Sequence, residues 1–189
     1  TATNAMAMGL NARTTASGSV AVGVNTEVTQ INSVAMGATA KTYGDSAVSL
    51  GVDVVSRGHS AVAVGANARA LVQSAVSLGD STYANALSAV SVGVSSRATA
   101  VRALAVGDSA EATAGDTVAI GAAAKANATG AVAIGKNALA NQEAGTAVGI
   151  AAEATGQYAA AFGDAAKASV TWGTAIGTGS LANVAAGAV

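Results

Sequence analysis

The 189-residue chain contains no cysteine and no proline. Without cysteine it has no disulfide, no zinc–thiolate site and no thiol nucleophile. The same lack suits a surface protein that crosses an oxidising space without mispaired thiols. Aromatic residues make up 3% of the chain: one Trp, one Phe and three Tyr. That is too few for an ordinary globular core, which draws much of its burial from large rings. Charge is also scarce, at 10%, with nine Lys/Arg against ten Asp/Glu and a net charge of −1. No polybasic run offers a footprint for nucleic acid or for an anionic lipid surface. No Lys/Arg-led apolar segment opens the chain, so no signal peptide is expected within it. Residues 168–189 carry no charge, but Ala, Gly, Thr, Ser and Asn are too polar for a membrane-spanning helix. No membrane contact by this segment is expected.

What the chain has instead is small residues in strict order. Glycine recurs every fourteen residues from Gly9 to Gly177 without insertion or deletion. Such a period dictates the architecture. The residue before this glycine is always apolar, as at Met8, Val64, Ile134 and Phe162. Two residues further back lies a second apolar row, including Met6, Val20, Val62 and Val132, which weakens to Thr146, Ala160 and Thr174. Between the two rows stands only Ala or Ser. Alternating β-branched and small residues closed by glycine predict a short strand ending in a tight turn. Arg102 alone brings charge near it, so both faces of this inner strand are expected to be buried.

A second half follows each glycine. Small residues recur three and five positions on, as at Ala68 and Ala70 or Ala124 and Ala126. Between them stands a polar or charged residue in most repeats: Arg13, Glu27, Lys41, Arg69, Arg97, Glu111, Lys125, Glu153 and Lys167. Small-in, charged-out, small-in is the pattern of a half-buried strand. Turns through Gly44, Gly58, Gly115 or Gly156 return the chain to the next repeat. Two five-residue strands and two turns thus predict one coil of a β-solenoid. Thirteen coils stacked at ~4.8 Å would form a rod on the order of 60 Å long. Stacking places residues fourteen apart side by side. The adjacent charges Arg13–Glu27, Glu27–Lys41, Arg97–Glu111, Glu111–Lys125 and Glu153–Lys167 are all of opposite sign, which supports that register.

So small a coil has little interior. A single roll covers one face of the inner strand and leaves the other to meet something else. Ordering the backbone costs ~1–2 kcal/mol per residue, and buried alanine returns little at ~25 cal/mol per Å². An obligate homo-oligomer of cyclic symmetry is therefore expected. Either the Val/Ile row fills the roll, or Ala and Ser fill it and the Val/Ile row forms the oligomer core.

The unit Ser60-Ala61-Val62-Ala63-Val64-Gly65, repeated every fourteen residues, resembles the YadA-like head repeat of trimeric autotransporter adhesins. The resemblance covers about residues 4–180. It implies an all-β fold, a left-handed parallel β-roll of about 13 coils over residues 1–180, assembled as a homotrimer. Leu181-Ala182-Asn183-Val184-Ala185-Ala186-Gly187 resembles the opening of the family's neck, so 181–189 reads as the start of a connector to a stalk. The implied place is the bacterial cell surface, attached to the outer membrane through stalk and anchor domains. The implied partners are host matrix proteins such as collagen, fibronectin or laminin, or host cell surfaces.

No residue set points to catalysis, a cofactor or a metal, and the chain is not expected to be an enzyme. His59 is the sole histidine; one coil away lie Asp45 and Gln73, fewer ligands than the three or four a metal needs. Asp108 and Glu111 are the nearest carboxylates to a pair and read as a solvated turn. No Gly-x-x-x-x-Gly-Lys-Ser/Thr phosphate loop occurs, and no calcium-binding Gly-Gly-x-Gly-x-Asp repeat. Tyr158, Phe162 and Trp172 cluster near the end, with Phe162 in the buried row. They form either a recognition patch or a stack that caps the roll. Two other functions fit a solenoid. An ice-binding face needs an unbroken Thr array, but Thr15, Thr29, Thr99, Thr113 and Thr155 share a column broken by Tyr43, Arg57 and Leu71. A structural spacer with no ligand of its own is the remaining alternative.

Overall fold

The structure, a computed structural model, describes residues 2–184. It comprises two compact units, Thr1–Ser95 and Ser96–Val189, of the same construction. No helix occurs among the described residues. Each repeat contributes a three-residue strand, such as Val62–Val64, and a two-residue strand, such as Arg69–Ala70. Within each unit every strand pairs in parallel with its equivalent one coil on, as Val76↔Val90 does in the first and Val118↔Val132 in the second. The fold is an all-β parallel solenoid with fourteen residues per coil.

The strands are shorter than the five residues expected. Every seventh residue, from Asn4 to Gly179, lies in the left-handed region with φ of 51 to 68°. Each coil therefore has two corners that bend the chain in the same way. Only a few extended residues fit between them. Asn, Asp, Ser and Gly occupy most of these corners, in keeping with their tolerance of this conformation.

The register glycine has a separate role. At Gly65 φ is +127°, and an added Cβ would lie 2.2 Å from the carbonyl oxygen of Gly79. At Gly121 φ is +128°, and a Cβ would meet the carbonyl of Gly135 at 2.6 Å. Backbone thus passes over backbone with no room for a side chain, and the Gly79 N–H donates to the Val64 carbonyl at 2.8 Å.

Four columns of small residues fill the roll. In one coil they are Ala61, Ala63, Ala68 and Ala70, all fully buried. The Val/Ile row points the other way: Val62 and Val64 are half-buried around a buried Ala63. The roll thus covers one face of the inner strand and leaves the other half-exposed, as expected of a single chain. The roll is narrow, so Ala, Ser and Thr fill most of it, valine enters at Val28 and Val54, and most of the larger side chains project outward. Phe162 departs from its expected burial, at 41% exposed.

Serine and threonine replace alanine at several interior positions, where their hydroxyls find backbone acceptors. Thr42, Ser49 and Ser56 donate to the carbonyls of Val34, Lys41 and Val48 at 2.9, 2.9 and 2.6 Å. Among the described residues no buried side-chain polar atom lacks a partner, as the cost of burying an unpaired hydroxyl demands.

The expected neck falls largely outside the described residues. Leu181–Ala182 forms a two-residue strand paired with Lys167–Ala168, and residues 185–189 are not among those described.

Gly121→Ala should destabilise the chain by about 3 kcal/mol or more, through an unfavourable φ and a backbone collision that no rotamer relieves. Ala122→Ser, at the next and exposed position, should cost under ~0.5 kcal/mol. Thermal unfolding of the two variants checks this.

Candidate functional site

The outward surface has four parts: the Val/Ile row, the turn after the glycine, the charged column and the turn before the inner strand. The charged column shows the expected register. Arg13, Glu27, Lys41 and Val55 follow one another across parallel pairs in the first unit. Arg97, Glu111 and Lys125 do so in the second. Arg13–Glu27 at 2.7 Å, Lys125–Glu111 at 3.5 Å and Lys167–Glu153 at 3.0 Å are ion pairs of the expected kind. Glu27 spends its other oxygen on the Tyr43 hydroxyl, 2.8 Å away, rather than on Lys41. Burial, then that hydrogen bond to the carboxylate, pushes the Tyr43 pKa up.

Two further ion pairs draw on the corner residues. Arg102, singled out as an intrusion, occupies a left-handed corner and forks onto Asp116 of the next coil, Nε to Oδ1 at 2.5 Å and Nη2 to Oδ2 at 2.8 Å. Arg69 reaches back to Asp53 at 3.5 Å. Its neighbour Val55 stands in the charged column yet is only 4% exposed. Long side chains covering apolar surface with their stems explain this. For Arg102 and Asp116 the signal in the sequence was the same fourteen-residue spacing, applied to the corner column.

A shallow cleft of about 430 Å³ lies over Asn11, Ala12, Arg13, Asn25, Thr26 and Glu27. The Asn11 amide donates to Asn25 Oδ1 at 3.0 Å, and the Arg13–Glu27 pair lines the same cleft. Its polar groups are thus engaged with one another.

His59 sits in an exposed turn with Nδ1 2.9 Å from the Ser60 hydroxyl. Asp45 and Gln73 occupy the equivalent positions of the flanking coils. Among the described residues no group of three or more His, Asp or Glu side chains converges as a metal site. Asp108 accepts from the Ser109 hydroxyl at 3.1 Å, and Glu111 pairs with Lys125, so those two carboxylates are not joined.

The terminal aromatics do come together. Tyr158 and Trp172 stack with ring centroids 4.3 Å apart and planes 16° from parallel. Both occupy left-handed corners, with φ of 56 and 60°. That conformation costs bulky residues roughly 1–2 kcal/mol each. Trp172 remains 65% exposed. Phe162 lies on the inner strand, paired with Val148 and Ile176.

A parallel solenoid that presents columns of like residues is a repeat protein. The family model described as the YadA head domain repeat (2 copies) matches residues 1–26, 29–53, 56–82, 84–110, 112–138, 126–152 and 154–180. The chain belongs to that family. No curated protein matches it. A crystal structure of the collagen-binding domain of the Yersinia adhesin YadA aligns over 98% of this chain and 87% of that one, with 23% identity and a TM-score of 0.37.

The Arg102 hydrogen bonds hold the Asp116 pKa below the ordinary carboxylate value. The stabilisation they bring is present above the unfolded-state pKa and is lost as pH falls through the lower folded value. Carboxyl NMR titration should show Asp116 below the usual aspartate range, returning to it in Arg102→Ala.

Proposed function

We propose that this chain is the head of a bacterial surface adhesin, acting as a homotrimer that binds host matrix proteins or host cell surfaces. Membership of the YadA head repeat family over nearly the whole length supports the adhesive role. The observation that carries the assembly is the outward Val/Ile row. Side chains such as Val62, Val64, Val132 and Ile134 are half-exposed on a single chain. Val52 and Ile150, which follow their register glycines, are also exposed. A contiguous apolar surface repeated coil after coil marks an interface. Three chains meeting through this row give the burial that an alanine-filled roll lacks; the number three follows the family.

Trimerisation sets how the head binds. Each outward column is presented three times, and weak contacts made together gain affinity without any new contact. Place follows from role: the head is carried at the cell surface, with stalk and anchor domains joining it to the outer membrane.

The assembly is tested by the inner row. Val62→Asp would bury three carboxylates per trimer without partners, costing several kcal/mol per chain. In a monomer, the half-exposed position would tolerate the charge. Lys125→Ala, in the charged column, should cost under ~1 kcal/mol. Light scattering and melting curves should show dissociation or unfolding for Val62→Asp alone. A folded wild-type monomer at micromolar concentration would refute the trimer.

Adhesion is tested by solid-phase binding of the purified head to collagens, fibronectin, laminin and epithelial cells. Saturable binding to at least one, unchanged by chelator, is expected. Failure with every ligand would favour a spacer role.

A further inference from the structure

The outward face of the second sheet is not neutralised everywhere. Between Lys41 and Arg69 the register sets Lys41, Val55 and Arg69 side by side. The ladder runs on through the next residues: the Tyr43 N–H donates to the Ser56 carbonyl at 2.8 Å and the Arg57 N–H to the Ala70 carbonyl at 2.9 Å. Thr42, Ser56 and Ala70 are fully buried in the roll, so by alternation the residues on either side of each face outward. Lys41, Arg57 and Arg69 therefore share one face. They lie within two coils, ~10 Å, along the stack and roughly 7 Å across it.

Two observations show that these cations are gathered and left unsatisfied. The first is Val55. It stands in the outward column yet is 4% exposed. Long side chains set around it must lie across it, and Lys41, Arg57 and Arg69 are the cations among them. The second is where the nearby carboxylates go. Glu27, expected to pair with Lys41, gives one oxygen to Arg13 and the other to the Tyr43 hydroxyl. Asp53 takes Arg69 at 3.5 Å. Asp45 lies beyond Gly44, in the turn column of His59. Among the described residues neither Lys41 nor Arg57 has a carboxylate within ion-pair distance. Arg57 is exposed. Burial and Glu27 raise the Tyr43 pKa and the positive charge of Arg57 opposes them, which places Arg57 near that phenol.

The occupant follows from what the face offers. Unpaired cations select an anion, and guanidinium and ammonium heads hold sulfate oxygens by charge-assisted hydrogen bonds. The backbone of these strands is spent on the coil-to-coil ladder, so an extended peptide finds no main chain to pair with. Tyr43 and Leu71 are half-buried and do not stand out to enter a lipid layer. A polysaccharide that carries its own anionic groups needs neither device. The face belongs to the sheet that does not carry the Val/Ile row, so the trimer leaves it open on each chain.

We propose that Lys41, Arg57 and Arg69 form a binding face for a sulfated polysaccharide, with its sulfate half-esters held between the three side chains. The inference deepens the adhesive reading and rests on it for the host source of the polysaccharide.

The intact head is titrated by calorimetry with a heparin oligosaccharide. Hyaluronan serves as the unsulfated polyanion, polyglutamate as the acidic peptide and phosphatidylserine vesicles as the lipid surface. Saturable binding of the heparin oligosaccharide is expected, weakened by added salt and tighter than binding of the other three. The double variant Lys41→Gln, Arg57→Gln should weaken it about fivefold or more. Arg57→Gln alone, at the exposed position, should weaken it about threefold and carries the test if the double variant fails to fold. Asp53→Asn, which releases Arg69, should tighten it about twofold. Lys136→Gln removes an exposed cation from another column and should leave the affinity unaltered. No heparin binding by a folded head would overturn the proposal. So would unaltered affinity in folded Lys41 and Arg57 variants, an equal loss in Lys136→Gln, or polyglutamate or vesicles bound as tightly as heparin. Adhesion to cells and matrix proteins is scored on the same preparations. Adhesion without heparin binding overturns the sulfate face alone, whereas loss of both overturns the adhesive reading as well.

Discussion

Close passage of backbone over backbone at the register glycine is the constraint on which the rest depends. A Cβ at Gly65 would sit 2.2 Å from the Gly79 carbonyl oxygen, and the same collision recurs at Gly121 against Gly135. Side chains are excluded from this corner, so the parallel ladder runs through it without a gap. Once that contact is repeated every fourteen residues, each coil must return to the same place. Columns of like residues follow, and so does the pairing of opposite charges along the outer strands.

The same closeness makes the interior narrow. Alanines such as Ala63 and Ala70 are fully buried because nothing larger than Ser, Thr or an occasional Val fits four to a coil. Most of the larger apolar side chains are displaced to the outside, where Val62 and Val64 stand half-exposed. Apolar material on the surface is the ground for the proposed association, which would leave the charged column and the corners as the surfaces that can vary. Variation does concentrate there: Val55, Tyr83 and Leu139 replace charges in one column, while Arg102, Tyr158 and Trp172 replace small residues in another.

Legibility in the sequence followed periodicity. The coil length, the two strands, the parallel register and the opposite-sign pairs were all readable from spacing, because a residue fourteen positions away is a spatial neighbour. Arg13–Glu27 and Glu153–Lys167 were placed correctly on that ground alone. The left-handed corner every seventh residue was present as a bias towards Asn, Asp, Ser and Gly. It was masked by alanines at Ala123 and Ala151 and by the large side chains at Arg102 and Trp172. Missing it made the strands too long, since extended backbone ends where φ changes sign.

Composition and period by themselves determined that this chain is a stacked repeat, that it is all-β, and that its outer strands meet in register. Those properties depend on local conformation and on translation by one coil, which a linear sequence encodes directly. Only the tertiary structure decided which face of the inner strand fills the roll. Alternation names two faces without saying which is inside, and the cross-section of the closed coil admits Ala63 while turning Val62 away. It also decided that Tyr158 and Trp172 stack in the open, for exposure is a property of what the remaining chain leaves uncovered.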